Sequence, residues 1–368
     1  MAMMLSLDAV AALIDHLRDD GRKVIAPVLR NATISLDTID GIDDLPAGWT
    51  EHQDGGSYRL ERLHRPELFG HATPALAWKS WLYPPRTMLM RASRNNGSVT
   101  IEEPAPDAQP LAFFGIRSCD VHALDILDRV LLDPVDPTYA ARREQLFVVA
   151  ATCARPGGTC FCVSMGTGPA PTVGYDIALT ELCTGDRHEF LAEAATDEGK
   201  DLLGSVNGRA PNQADLAAAG QLVSNATHNM GRHLDPTHPT AAAERFEHPQ
   251  WEAVARRCLA CANCTMVCPT CFCSTTEDTT DLSGAVSERW RSWDSCFALD
   301  FSFLAGAPVR TSTKSRYRQW LLHKLVTWHD QFGTSGCVGC GRCITWCPVG
   351  IDLTAEMAAL ALDPGGPS

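Results

Sequence analysis

Eleven of the sixteen cysteines lie between residues 258 and 347, and eight of these form two copies of one spaced motif. In each copy three cysteines follow at steps of three residues, and a fourth comes four residues later, directly before a proline. The two copies are Cys258, Cys261, Cys264 and Cys268, then Cys337, Cys340, Cys343 and Cys347. Three thiolates at this spacing reach three corners of one iron–sulfur cube, while the fourth points toward a second cube. The spacing therefore predicts two [4Fe-4S] clusters.

The fourth cysteines are expected to cross, so that each cluster takes a triplet from one motif and one ligand from the other. The predicted first site consists of Cys258, Cys261, Cys264 and Cys347. The predicted second site consists of Cys337, Cys340, Cys343 and Cys268. Zinc also binds paired Cys-x2-Cys, but it has no use for a third cysteine at the same step. The three other cysteines of this region, Cys271, Cys273 and Cys296, are interpreted as buried free thiols that pack as small apolar groups.

Four further cysteines follow two predicted strands of the N-terminal half. Cys119 comes three residues after the apolar run 111–116, and Cys153 directly follows a second run, 145–152. The carboxyl ends of parallel strands emerge at one edge of a sheet, and a Gly- and Pro-rich loop can return Cys160 and Cys162 to that edge. Two interpretations stay open: a third [4Fe-4S] cluster held by Cys119, Cys153, Cys160 and Cys162 (the third site), or four buried free thiols.

The elements that position these cysteines indicate a multidomain α+β chain. Residues 5–17 repeat apolar side chains at helical spacing, and the two apolar runs with a helix between them predict a βαβ unit. We therefore expect an N-terminal α/β domain over residues 1–245. Sixty-three residues separate Cys273 from Cys337, too many for the compact ferredoxin linker. The prediction for residues 246–368 is thus an all-helical, ferredoxin-type domain with two clusters.

Composition narrows the range of partners. The chain has 31 Lys and Arg against 44 Asp and Glu, a net charge of −13 that repels nucleic acid. No run approaches the roughly 18 apolar residues of a membrane span, and no signal peptide is evident, so a cytoplasmic location is expected. Gly166-x-Gly168 precedes a proline and is not a dinucleotide fingerprint. We expect no catalytic residues in this chain.

Several segments resemble the sulfhydrogenase beta subunit, the iron–sulfur subunit of cytosolic NAD(P)-linked [NiFe] hydrogenases. The similarity covers most of the chain and extends to the corresponding iron–sulfur subunit of anaerobic sulfite reductase. It is carried by residues 115–124 (GIRSCDVHAL), 153–169, 295–301 (SCFALDF), 316–325 (RYRQWLLHKL) and 336–352 (GCVGCGRCITWCPVGID). The crossed ligands match the family pattern position by position, and so do the four cysteines of the third site.

The resemblance implies an electron-transfer subunit. It would relay electrons between two partners: a reductase subunit that binds flavin and NAD(P), and the pair of small and large subunits of a [NiFe] hydrogenase. FAD and NAD(P) would be bound only by the reductase subunit. The equivalent subunit of an anaerobic sulfite reductase complex is the alternative. An enzyme acting on disulfides is disfavoured because the sequence contains no adjacent cysteine pair.

Overall fold

The computed structural model describes residues 1–95, 97–185 and 187–362. Its strands, in chain order, are β1 Ala2–Ser6, β2 Lys23–Arg30, β3 Thr33–Thr38, β4 Trp49–Asp54, β5 Ser57–Arg62, β6 Arg86–Asn95, β7 Ser98–Glu102, β8 Leu111–Arg117, β9 Phe147–Ala151, β10 Ile177–Thr184, β11 Arg187–Ala194, β12 Ser274–Thr280, β13 Val286–Trp293, β14 Phe303–Leu304 and β15 Ala307–Pro308.

The helices of the described chain are α1 Leu7–Asp19, α2 Lys79–Leu82, α3 Ser118–Leu131, α4 Pro137–Glu144, α5 Asp197–Gly204, α6 Gln213–His228, α7 His238–Glu244, α8 Gln250–Arg257, α9 Asn263–Met266, α10 Thr313–Leu322, α11 Trp328–Phe332, α12 Arg342–Thr345 and α13 Leu353–Ala361. A 3-10 turn covers Ile42–Asp44, and a π-helical turn, His323–Thr327, joins α10 to α11. No helix in the described ranges is long and apolar enough to cross a membrane.

A seven-stranded mixed sheet, ordered β1-β11-β10-β9-β8-β2-β3, forms the centre of the N-terminal half. Its four inner strands, β10, β9, β8 and β2, run parallel, and the adjacent strands β11 and β3 run antiparallel to them. The edge strand β1 pairs antiparallel with β11. The predicted βαβ unit is present as β8, α3 and β9. All seven residues of β8 are buried because helices cover both faces of the sheet, as its continuous apolar run requires.

The first helix also follows its sequence pattern. The Ser6 hydroxyl accepts a hydrogen bond from the Ala9 amide at 3.2 Å and so caps the start of α1. Val10, Leu13 and Leu17 lie on one face of the helix and are buried against the sheet. The predicted amphipathic helix is therefore observed.

The prediction of an all-helical C-terminal domain is not confirmed. Strands β12 and β13 form a hairpin between the two cysteine motifs, and β13 pairs with β6 from the N-terminal half. The resulting four-stranded sheet, β12-β13-β6-β7, combines strands from both sides of residue 245. The domain boundary at residue 245 therefore stays a prediction. The hairpin escapes periodicity analysis because the middle of β12 is exposed and carries threonines and acids rather than alternating apolar residues.

Candidate metal centres

The two cysteine motifs adopt the same backbone path. Ala260 and Ala262 in the first motif have φ of 50° and 65°, and Gly339 and Gly341 at the equivalent positions have 66° and 76°. Ala262 directly precedes the four-residue helix α9, and Gly341 directly precedes the four-residue helix α12. Each helix carries the third cysteine of its motif. The duplicated spacing is therefore also a duplicated geometry, in which three thiols project from one tight turn.

The cysteines of the first site meet at one cavity. Its lining includes all four members, Cys258, Cys261, Cys264 and Cys347, and also Cys343 from the other motif. The backbone amide of Ala260 donates to the Cys258 sulfur at 3.4 Å, and the amide of Ile351 donates to the Cys347 sulfur at 3.3 Å. The structure thus brings the fourth cysteine of the second motif to the first triplet.

Two aromatic side chains beside this cavity support a sulfur-rich occupant. The Tyr317 hydroxyl and the Trp320 indole nitrogen are buried and have no hydrogen-bond partner among the described residues. Buried donors without partners are rare, and thiolate or inorganic sulfide is a suitable acceptor for both. The donor set and its surroundings therefore fit an iron–sulfur cluster.

The cysteines of the second site are also grouped. Cys268 lies within electrostatic range of all three members of the second triplet, Cys337, Cys340 and Cys343. The amide of Gly339 donates to the Cys337 sulfur at 3.4 Å. Burial raises the pKa of Cys337 to about 12 and raises those of Cys340 and Cys343, so these thiols need a bound cation to ionise.

A zinc ion is a poorer match to the spacing of these cysteines. Zinc needs four ligands and has no use for the third cysteine that each motif carries at the same step. Across residues 1–95, 97–185 and 187–362, no three or more His, Cys, Asp or Glu side chains gather closely enough to hold one ion.

The four cysteines of the third site are all buried at the predicted edge of the sheet. Cys119 lies in the first turn of α3, and Cys153 follows β9. Three of these thiols are close enough for their charges to interact: Cys153, Cys160 and Cys162. The charge of Cys119 interacts instead with those of Cys162 and Cys340. Burial raises the pKa of Cys162 to about 12. The third site thus adjoins the second.

Direct packing joins these two sites. A Cβ added to Gly339 would lie 2.7 Å from the backbone of Cys162, and one added to Gly341 would lie 2.4 Å from the Thr159 carbonyl oxygen. Arg342 donates to both carboxylate oxygens of Asp120 at 2.7 and 2.8 Å, and both side chains are buried. The second motif is therefore held against the N-terminal sheet by close backbone contact and an internal ion pair.

Two buried lysines stand beside the second site. Lys324 donates to the Cys268 sulfur at 3.3 Å, to the Thr270 hydroxyl at 3.0 Å and to the Gly336 carbonyl at 3.4 Å. Burial opposes its charge, but neighbouring thiolates outweigh that effect and hold the pKa of Lys324 well above its usual range. Lys79 donates to the Cys271 carbonyl at 2.8 Å, and its ammonium lies 4.1 Å from the centre of the Trp293 ring.

The three surplus cysteines are not isolated thiols. The Cys271 side chain interacts with Cys268, and the Cys273 side chain interacts with Cys296. The interaction with Cys296, aided by the charge of Lys324, lowers the pKa of Cys273 to about 7. The interpretation as separate apolar packing groups is therefore incomplete.

Comparison with known proteins gives two matches. A model of the 4Fe-4S dicluster domain matches residues 257–351, which include both motifs. The chain is 30% identical over 349 residues to sulfhydrogenase 2 subunit beta of Pyrococcus furiosus, with 92% of each chain covered. The chain belongs to the sulfhydrogenase beta-subunit family. No solved structure matches it.

Membership of the sulfhydrogenase beta-subunit family confirms the resemblance drawn from the motifs. The chain is an iron–sulfur, electron-transfer subunit of the hydrogenase type, and 4Fe-4S clusters are its cofactor class. The cluster count, the individual ligands and the partner subunits stay predictions.

Sequence analysis missed the charged residues around the thiols, although one signal was available. Tyr317, Trp320, Leu321 and Trp328 mark a buried helical face, and Lys324 falls on that same face at a step of three or four residues. A lysine within an apolar stripe indicates a buried partner. Arg342 carried no comparable signal, because its partner Asp120 is 222 residues away.

Proposed function

We propose that this chain relays electrons between two partners: a reductase subunit that binds flavin and NAD(P), and the pair of small and large subunits of a [NiFe] hydrogenase. FAD and NAD(P) would be bound by the reductase partner, and the relay would operate in the cytoplasm. None of the sixteen cysteines, all in the described part of the chain, is in a disulfide bond, which suits a reducing compartment.

The observation that supports the proposal is that the fourth cysteine of each motif lies beside the first three cysteines of the other motif. Cys347 lines the cavity of the first triplet, and Cys268 lies beside the second triplet. Two [4Fe-4S] clusters, when bound, supply one-electron transfer. The first and second sites would hold them side by side, since α9 and α12 contact each other.

The residues of the chain would set the properties of this relay. Amides of Ala260, Gly339 and Ile351 donate to ligand sulfurs, which stabilises added negative charge. Tyr317 and Trp320 exclude water from the first site. Lys324 places a positive charge at the second site. Together these contacts would favour reduction of clusters held at fixed positions.

A third cluster is proposed at Cys119, Cys153, Cys160 and Cys162. Its support is the burial of all four thiols beside the second site. The chain purified without oxygen should then carry about twelve irons rather than about eight. Replacing Cys119 and Cys153 by Ser should remove about four irons and leave the other signals. A count of eight in both proteins would refute the third site.

The test of the whole proposal is anaerobic co-purification from a native source, followed by metal and cofactor analysis. Nickel and flavin that co-elute with the chain would support the hydrogenase relay. Sirohaem in place of nickel would instead assign the chain to an anaerobic sulfite reductase complex. A chain that elutes alone, with zinc and no visible absorption, would refute both.

A further inference from the structure

The fold creates a thiol pair that the linear sequence hides. Cys273 directly precedes β12, and Cys296 follows β13 by three residues. The hairpin aligns Ser274 with Trp293, and the next rung continues with the Asp294 amide donating to the Cys273 carbonyl at 2.9 Å. Strand pairing therefore brings the two cysteines to the open end of the hairpin, where both line one cavity.

This pair stands apart from the three sets of proposed ligands. Both motifs are already complete with four cysteines each, and neither Cys273 nor Cys296 belongs to the third site. Sulfurs that bind one cube are held apart on separate irons. Two thiols at the same end of one hairpin that line one cavity can, by contrast, be joined by a covalent S–S bond. Their placement, outside the three proposed ligand sets, suits a dithiol.

The surroundings suit redox chemistry at these sulfurs. Cys273 and Cys296 are half-buried and line a cavity together with His323, Lys324 and Arg310. Positively charged neighbours stabilise a thiolate, which is the reactive form in disulfide exchange. Cys271 lines the same cavity, and its side chain interacts with Cys268, a ligand of the proposed second site. The pair therefore lies close to the electron relay.

We propose that Cys273 and Cys296 form a redox-active dithiol that exchanges electrons with the second site. On oxidation the two thiols release two protons to the cavity and two electrons, and one S–S bond forms. The electrons would pass one at a time to a cluster held by Cys337, Cys340, Cys343 and Cys268. The reverse reaction takes two electrons and two protons and breaks the bond. The electron exchange rests on the proposed relay, whereas formation of the disulfide does not.

The test uses the full chain purified without oxygen and equilibrated with graded mixtures of oxidised and reduced dithiothreitol. Mass spectrometry of unreduced peptides should find Cys273 linked to Cys296 at the oxidising end, with two fewer free thiols per chain. Cys273→Ser and Cys296→Ser should keep the iron content of the parent chain and accept two fewer electrons in a coulometric titration. Cys183→Ser, on β10, is the matched control and should accept as many electrons as the parent.

Two results would overturn the thiol pair. One is the absence of the linked peptide at every mixing ratio. The other is a loss of iron and acid-labile sulfide in Cys273→Ser or Cys296→Ser, which would make these residues cluster ligands. Failure of the relay is seen separately, as a parent chain whose iron–sulfur absorption does not bleach with dithionite while the linked peptide still forms.

Discussion

Lys324 offers the sharpest test of how the chain tunes its electron relay. Its ammonium lies 3.3 Å from the Cys268 sulfur and is buried, so solvent screens the interaction weakly. Reduction adds one negative charge to the second site, and a neighbouring positive charge stabilises the reduced form. Lys324→Met removes that charge while keeping a side chain of similar length. We expect the midpoint potential of one cluster to fall.

The size of the shift follows from Coulomb's law. At 3.3 Å and an effective dielectric constant of about 20, two unit charges interact by about 5 kcal/mol. The added electron is spread over the cube, and doubling the distance halves the energy to about 2.5 kcal/mol. For a one-electron couple about 1.4 kcal/mol corresponds to about 59 mV. The potential should therefore fall by about 100–200 mV.

The assay is a potentiometric titration of the isolated chain followed by electron paramagnetic resonance. Lys324→Arg keeps the charge and should retain most of the parent potential, which separates charge from packing. Lys314→Met, on the same helical segment, is the surface control and should leave both potentials unchanged. A Lys324→Met protein with full iron content and a shift below about 20 mV would refute the electrostatic reasoning.

Three further changes test the scaffold. Arg342→Met leaves the Asp120 carboxylate buried without its partner. It should lower the unfolding free energy, measured by urea denaturation, by about 3–5 kcal/mol. The double variant Arg342→Met with Asp120→Leu should recover part of this loss. Gly341→Ala places a Cβ 2.4 Å from a carbonyl at φ 76° and should lower the melting temperature, whereas Gly204→Ala, which meets nothing within 4 Å, should not. Burial raises the pKa of Glu51 from 4.5 to about 7. The contribution of Glu51 to the unfolding free energy is therefore full below about pH 4.5 and is lost as the pH rises through 7. Glu51→Gln should flatten the profile of unfolding free energy against pH in this range, and an unchanged slope would contradict the raised pKa.

Local chemistry explains why much of the candidate site could be predicted. Each motif, with the glycines or alanines between its cysteines and its terminal proline, spans only twelve residues, so the pattern already implies the turn and its chemistry. The helix α1 and the βαβ unit are similarly encoded by apolar periodicity. These predictions needed no knowledge of distant parts of the chain.

Long-range pairing explains what could not be predicted. The hairpin of β12 and β13 joins a strand from the other half of the chain, and its polar surface hides it from periodicity analysis. The placement of Cys273 and Cys296 at one cavity depends on that hairpin. The placement of Cys119 against Cys162 and Cys340 depends on how the second motif docks on the sheet.

The class of cofactor and the family can be predicted from the amino-acid sequence, because ligand type and spacing are properties of a short segment. The charges that surround the thiols depend on how distant segments pack together. A buried lysine such as Lys324 and an ion pair such as Asp120–Arg342 are favourable only when a partner compensates for desolvation. That partner is supplied by folding, over separations of up to 222 residues.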